Sequence, residues 1–333
     1  MTSTSSGSTD RPVDPPRPPD FLIDRVVSGF ENDDAERHRV LFDQTGKQSL
    51  HDITKALAGI GRTFNEFPRI LDFGCGCGRV TRWLQYETSG SELFGCDIDA
   101  EAIAWNQSNL PAVQFARNDH EPPLPYADQS FDLILNHSVF THIDERMQDL
   151  WLAELRRVLK PGGVALLSVH GTRAFGISEH AARFEGDTSA VWRSELERQG
   201  ILFISSDSYV GSSFPSFYHT TFHAPWYVFE HWAQWFDVTA YLSHADLGFQ
   251  DIVLLQRDDR EDRDRAIVAR PLHDEGTTSA GDTPLASVGA VDVGRVPPVV
   301  AVALERIGER VSRLEAAMAK NLSQSSDSGG PPS

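Results

Sequence analysis

The feature that most constrains this chain is the segment Leu71-Asp72-Phe73-Gly74-Cys75-Gly76-Cys77-Gly78-Arg79. It begins inside a short apolar run, Arg69–Phe73, which reads as a buried strand. It then opens a helix expected over 78–86. Glycines at alternate positions let the backbone turn tightly and approach a ligand with no Cβ in the way. The helix start beyond them adds unpaired N–H groups. The next expected strand, 92–96, runs into Asp97, 23 residues after Gly74. An acid at that place in a βαβ unit can accept both hydroxyls of an adenosine ribose. A glycine loop alone says little. A strand, the loop, a helix and a second strand ending in an acid make a linked pattern that a ligand-binding parallel sheet satisfies.

The same alternation continues. Helical patterns fall at 35–60, 100–109 and 147–159, and extended ones at 113–116, 131–135 and 164–169. Lys160-Pro161-Gly162-Gly163 reads as the stop of the third helix. Two more strands, 236–241 and 251–255, have no full helix between them and are expected to pair antiparallel at one edge. The expected fold is therefore α/β: a doubly wound, Rossmann-like, seven-stranded and mostly parallel sheet with an antiparallel edge hairpin, plus a C-terminal heptad helix.

Around this core, residues 1–20 are Ser/Thr-rich and then Pro-rich, and are expected to be disordered. The folded domain is expected over 21–257. Within it, 171–235 is long for a connection and reads as a lid or substrate insertion. It holds a helix pattern at 189–199 and the aromatics Tyr209, Phe214, Phe217, Tyr218, Phe222, Trp226, Tyr227 and Phe229, which would otherwise fill a small extra core. A linker follows at 258–296, a short coiled-coil-like helix at 297–322 and a disordered tail at 323–333. Val300, Leu304, Ile307, Val311, Leu314 and Met318 are spaced 4, 3, 4, 3, 4, a heptad seam suited to a second copy or a partner helix. The 48 acidic against 30 basic residues give a net charge of −18, which argues against nucleic-acid and polybasic membrane partners. Three cysteines, no run of 18 apolar residues and no apolar leader point to a cytoplasmic protein with reduced thiols and no membrane span.

The loop is G-x-G-x-G, and here the chain resembles the class I S-adenosylmethionine-dependent methyltransferases, well over 69–169 and in outline over the rest of 21–257. The resemblance implies S-adenosylmethionine as cofactor. Asp72, Phe73, Gly74, Cys75, Gly76 and Gly78 match the family's acid-x-G-x-G-x-G loop around the methionine part. Asp97 matches the ribose-holding acid, and Ile98 stands where an apolar residue packs on the adenine. Asn118 and Asp119 stand after the third strand, where the family places an acid near the adenine amine. Asn136, at the exit of the fourth strand, completes the implied cofactor set. Two more stretches are similar to the family, 124–134 to its P-F-x-D-x-S-F-D entry into strand four and 155–163 to its approach to strand five. The bare residues leave other roles open: Asp72 can bond loop amides, and Asn118-Asp119 can simply form a turn. Cys75 and Cys77 make a poor zinc signature without a second cysteine pair, so no metal is expected.

The implied reaction is direct methyl transfer, whose main demand is alignment of the reactants. A hydroxyl acceptor must also lose a proton, whereas a carboxylate need not. His137 and His142, in the segment after the fourth strand, are candidate bases, because the binding crevice lies at the carboxyl ends of the strands. Tyr218, His219 and His223 are candidate substrate contacts in the insertion. The exit Asn136-His137-Ser138-Val139 is not the Asn/Asp-Pro-Pro-aromatic of nucleic-acid amino-methyltransferases, and no Pro-Cys stands there. The expected acceptor is a small molecule or glycan, O-methylated as a sugar or secondary metabolite. N-methylation of a small molecule, or a non-catalytic cofactor-binding protein that assembles through its C-terminal helix, are the alternatives.

Overall fold

The computed structural model of the protein describes residues 14–27, 35–182, 189–204 and 218–260. Five strands run parallel: β1 (Arg69–Phe73), β2 (Glu92–Asp97), β3 (Val113–Arg117), β4 (Phe131–Asn136) and β5 (Leu159–Val169). A small separate pair is made by β6 (Ile201–Ile204) and β7 (Thr220–His223). The last two strands, β8 (Asp237–Asp246) and β9 (Gln250–Gln256), form an antiparallel hairpin, and β9 pairs antiparallel with β5. The seven-stranded order is β3-β2-β1-β4-β5-β9-β8, the doubly wound sheet with an antiparallel edge that the sequence pattern implies. The order reverses between β1 and β4, which opens a crevice beyond their carboxyl ends.

The helices are α1 (Asp20–Val27), α2 (Ala35–Gly59), α3 (Thr81–Glu87), α4 (Ala100–Asn109), α5 (Glu145–Val158), α6 (Thr172–Ala182), α7 (Ser189–Gln199) and α8 (Pro225–His231). Strand side chains alternate between two faces. Ile70, Leu133, Leu135, Val164, Leu166, Ile252 and Leu254 pack with Leu50, Ile53 and Leu57 of α2. Leu71, Ile134, Ala165, Leu167, Val253 and Leu255 pack with Trp151, Leu152 and Leu155 of α5. Burial on both sides explains why these strands read as continuous apolar runs. Each fully buried large aliphatic side chain contributes roughly 1.5–3 kcal/mol. Asp99 and Asp144 cap α4 and α5, with side chains accepting from Ala102 N and Met147 N at 3.1 and 2.8 Å.

The structure differs from the sequence reading in several places. Lys160-Pro161-Gly162-Gly163 does follow the end of the helix, since α5 ends at Val158, but the four residues belong to β5, which begins at Leu159 and not at 164. The cause is pairing: Gly162 N donates to Arg257 O and Arg257 N to Gly163 O, at 2.7 and 3.0 Å. Residues 14–20, expected to be disordered, pack instead. Pro15 and Pro18 are buried, and the Pro16 carbonyl accepts from Arg82 Nη1. The described part of 171–235 has its own small core of Ala174, Phe175, Leu196, Leu202 and Phe222, the alternative weighed against a lid. Tyr227 is buried in the main core with Trp151 and Trp232, whereas Trp226 and Phe229 are exposed. Tyr209, Phe214, Phe217, residues 1–13, most of the linker, the heptad seam from Val300 to Met318 and the tail lie outside the described residues. Among the described residues no helix is long and apolar enough to cross a membrane.

Candidate functional site

The site starts at the carboxyl end of β1. Gly74, Gly76 and Gly78 all have left-handed backbones, with φ of +77°, +51° and +80°. At Gly74 the approach is also tight: a Cβ there would lie 2.3 Å from Val139 Cγ2. Gly74 N and Cys75 N both donate to Cys96 O, at 2.8 and 3.0 Å, which pins the loop to β2. Gly95 lets this happen, since a Cβ on it would meet the Phe115 ring at 2.6 Å and Cys75 Sγ at 3.1 Å. Phe73 turns its ring into the core, 4.7 Å from Trp151, so only its backbone borders the loop.

Asp97 sits half-buried at the end of β2. Its Oδ2 accepts from Gly76 N at 2.7 Å and its Oδ1 from Asp99 N at 2.8 Å. Each oxygen keeps a further lone pair. Burial pushes this carboxyl above the usual range, and the N–H bonds from Asp99 and Gly76 oppose the shift. Asn118 follows from β3; its Nδ2 donates to Asp119 O at 2.8 Å, and its buried Oδ1 has no hydrogen-bond partner among the described residues. Asp119 itself is exposed and Ile98 half-buried. Asn136 repeats the arrangement at the end of β4: Nδ2 donates to Phe73 O at 2.7 Å, and Oδ1 is buried and unpartnered.

Asp72 lies deeper than these residues. It is buried in β1 and accepts from the Thr81 hydroxyl at the start of α3. Burial pushes its carboxyl up to about 6; the Thr81 bond opposes this and the charge of Asp97 adds to it. Two carboxylates thus repel each other beneath the loop, a field that favours a cationic ligand. Cys75, Cys77 and Cys96 are buried free thiols, raised in pKa chiefly by burial. Among the described residues no three His, Cys, Asp or Glu side chains are grouped to hold a metal ion.

These features fit S-adenosylmethionine on this chain's own chemistry. The loop offers close backbone approach, and Asp97 keeps lone pairs for two hydroxyls. Asn118 Oδ1 and Asn136 Oδ1 are each without a donor among the described residues, and the cofactor carries amine and ammonium donors of the kind they lack. When bound, the cofactor supplies a sulfonium-activated methyl group.

The second half of the site lies at the exit of β4. His137 Nδ1 is 2.7 Å from Asp246 Oδ2, at the end of β8. His142 Nδ1 is 2.7 Å from His219 O, and the Tyr218 ring stacks on the His142 ring at 4.2 Å and 21°. The Tyr218 hydroxyl donates to Ser138 O at 3.3 Å. Burial pushes His142 down to about 4, with the His219 bond opposing. His137, His142 and Tyr218 are therefore brought together. His219 joins them through its backbone, while its ring lies 5.4 Å from Phe203. His223 is turned instead toward α5, its Nε2 2.9 Å from Gln148 Oε1, and burial lowers it to about 3.

Sequence reasoning missed Thr81, Asn106, Ser168, Asp246 and Gln250. Asn106 secures the loop by donating to Gly76 O at 2.8 Å. It missed α1 as well, whose Leu22 carbonyl accepts from Cys77 Sγ at 3.5 Å and whose Leu22, Ile23 and Val27 pack with Cys77 and Ala102. The apolar spacing of Leu22, Ile23 and Val27 was the available signal for that helix.

Comparison with known proteins fits this geometry. A family described as a methyltransferase domain matches residues 71–167. A protein of Encephalitozoon cuniculi named as a methyltransferase is 32% identical over 201 residues, covering 54% of this chain and 89% of that one. A fatty-acid O-methyltransferase of Mycolicibacterium smegmatis is 29% identical over 138 residues, 41% of this chain and 44% of its own. A malonyl-[acyl-carrier protein] O-methyltransferase of Enterobacter lignolyticus is 30% identical over 128 residues, covering 35% and 49%. The chain spans about half the length of these last two relatives.

Proposed function

We propose that this chain, which belongs to the class I S-adenosylmethionine-dependent methyltransferases, transfers a methyl group to an oxygen of a small-molecule acceptor, a sugar or a secondary metabolite. One observation carries the reading: the glycine loop, Asp97 and the β4 exit meet at one end of the sheet, at the reversal between β1 and β4. The cofactor half is built from donors and acceptors that are already braced: Asp97 by two N–H groups, Asn136 by Phe73 O. Such bracing favours alignment, which is what direct transfer demands. The acceptor half is assigned to the β4 exit, where Ser138 is bonded by Gln250 and Tyr218 and is preceded by His137, polar groups suited to a hydroxylated molecule. The O-methyltransferases among the relatives support oxygen as the acceptor atom. Cytoplasmic action belongs to the same reading and agrees with three free thiols.

The chain's own residues divide the work. In this reading Asp97 binds and orients, Asn118 and Asn136 take donors at either end, and the Tyr218 ring stacked on His142 brings the insertion to the β4 exit. Calorimetric titration with S-adenosylmethionine, beside Asp97→Ala, tests the first half. Each hydrogen bond to a charged group contributes about 1.5–3 kcal/mol, so loss of two ribose contacts weakens binding more than a hundredfold. Equal affinity of the two proteins overturns the cofactor site. Labelled-methyl transfer to hydroxyl, carboxyl and amine probes tests the second half, and transfer to amines alone overturns the choice of oxygen.

A further inference from the structure

The β4 exit holds one pair of side chains that alignment alone does not require. His137 and Asp246 are both enclosed, with side chains 8% and 1% exposed, and Nδ1 lies 2.7 Å from Oδ2, a charge contact and not an aligned hydrogen bond. The other ring nitrogen, His137 Nε2, is buried and has no hydrogen-bond partner among the described residues. An unmet buried polar atom costs about 1–3 kcal/mol; His170 Nδ1 and His223 Nδ1 are unmet as well, and what sets His137 apart is the carboxylate against its other nitrogen.

The backbone is bent to create this pair. Ser138 has φ +61°, while His244 and Leu247, on either side of Asp246, have φ +58° and +51°. Non-glycine residues in the left-handed region cost energy and persist where the surroundings over-determine them, often at active sites. The surroundings here do so. Ser138 N donates to Ser168 Oγ at 2.8 Å, and Gln250 Nε2 to Ser138 Oγ at 2.8 Å. His244 N donates to Asp251 Oδ1 at 2.7 Å, and Leu247 N to Asp52 Oδ2 at 3.1 Å. The pair also adjoins the cofactor loop: the residue before His137 holds Phe73 O, and Val139 is the side chain nearest Gly74.

We propose that His137 and Asp246 form the proton-accepting pair of the reaction, with Asp246 holding the imidazole by Nδ1 and His137 Nε2 receiving the acceptor's proton, so that the acceptor is a hydroxyl compound and not a carboxylate. The inference rests on the oxygen-methylation reading above. His137 is the catalytic residue and Asp246 a positioning residue. The charged and titratable groups around the pair are Arg79 from the loop before α3, Asp52 from α2, His142 beyond β4 and His170 beyond β5. Burial lowers His137, Asp246 opposes that and Arg79 reinforces it, which leaves the imidazole neutral near pH 7. His142 and His170 are likewise lowered by burial. A neutral ring whose Nδ1 faces a carboxylate is favoured with its proton on that nitrogen, which leaves the lone pair on Nε2, ready to accept.

In the step, an acceptor oxygen lone pair forms the new bond to the methyl carbon. The carbon–sulfur pair stays with the sulfur of the sulfonium donor, which becomes a neutral thioether. The hydroxyl proton passes to Nε2, the imidazolium is held beside Asp246, and the proton later leaves to water. A carboxylate arrives without a proton, and a bare lone pair backed by Asp246 disfavours its oxygens.

The test uses the full chain. Imidazole nitrogen–proton correlation spectra, with His137 assigned by His137→Gln, are expected to show a neutral ring protonated on Nδ1 at pH 7. In Asp246→Asn its titration midpoint falls further. A charged ring, or a proton on Nε2, overturns the proposal with no acceptor needed. In parallel, catechol, methyl α-glucoside, octanoate and histamine are offered with labelled S-adenosylmethionine. His137→Gln is expected to lower kcat on the hydroxyl probes by about 10²–10⁴-fold. Asp246→Asn lowers it at least tenfold and moves the acidic limb of the pH profile to lower pH, a shift that a purely structural loss would not give. Methylation of octanoate alone, indifferent to His137→Gln, overturns the dyad while leaving oxygen methylation intact. Methylation of histamine alone overturns the oxygen reading itself, and the hydroxyl assignment with it.

Discussion

Gly74→Ala isolates how closely the loop is fitted to the β4 exit. The alanine must hold φ near +77°, a left-handed backbone that costs an L-residue about 1–2 kcal/mol. Its Cβ would also lie 2.3 Å from Val139 Cγ2 and 3.5 Å from Asn136 Nδ2. Relieving the first contact means displacing Val139, an overpacking cost of about 1–3 kcal/mol. The two terms together predict a loss of about 2–5 kcal/mol, read as a lower urea midpoint at unchanged slope. They also separate. In a Val139→Ala background the clash is gone and only the backbone cost remains, so Gly74→Ala should then cost about 1–2 kcal/mol. A double-mutant cycle across Gly74 and Val139 measures the difference directly. A Gly74→Ala protein as stable as the wild type, or a cycle without coupling, refutes the argument that loop and exit are packed against each other.

Two further outcomes follow from buried charge. Asp72 has its carboxyl raised from 3.8 to about 6 by burial, so its ionised form weakens the folded state above that pH and the penalty fades as pH falls from about 6 to 4. Asp72→Asn should therefore raise the melting temperature at pH 7 and flatten the stability profile over that window; a lower melting temperature at pH 7 would count against it. His223 is depressed from 6.5 to about 3 by burial, so its contribution is complete above 6.5 and is lost as pH falls toward 3, by about 2 kcal/mol between pH 6.5 and 5. His223→Gln should lose less stability than the wild type across that interval in urea melts at each pH, and parallel profiles would refute the assignment.

The strand–glycine loop–helix–strand arrangement around Asp97 was legible because its parts are local. The loop, the helix after it and Asp97 fall within one βαβ unit, and their spacing is set by strand and helix lengths. Asp72 is a partial exception. Its place in the motif was clear, but its burial and its bond to Thr81 depend on α3 starting directly above it. The helix stop at Lys160–Gly163 was legible, but the start of β5 was placed too late for a related reason. Glycines and a proline signal a turn, yet here they pair with Arg257, a partner that no local pattern announces. The helix of residues 20–27 went unread because a proline-rich lead drew attention from the apolar face behind it.

The residues proposed for the acceptor half come from the exits of β4 and β5, the β8–β9 hairpin, α2 and the insertion, which explains why their grouping was not legible in the sequence. His137 and His142 stand five residues apart in one short segment and read alike in sequence. Their roles diverge through what the fold sets against Nδ1. His142 meets the His219 carbonyl and is covered by Tyr218. His137 meets Asp246, a full negative charge. A carbonyl can fix a tautomer, but a carboxylate also stabilises the charged ring that forms when a proton is taken up. Of two histidines in equivalent positions, the one facing the carboxylate is therefore the one equipped to act as a base. That difference is carried by a hairpin tip far along the chain, held in place by left-handed residues at His244 and Leu247 and by Asp251 and Asp52.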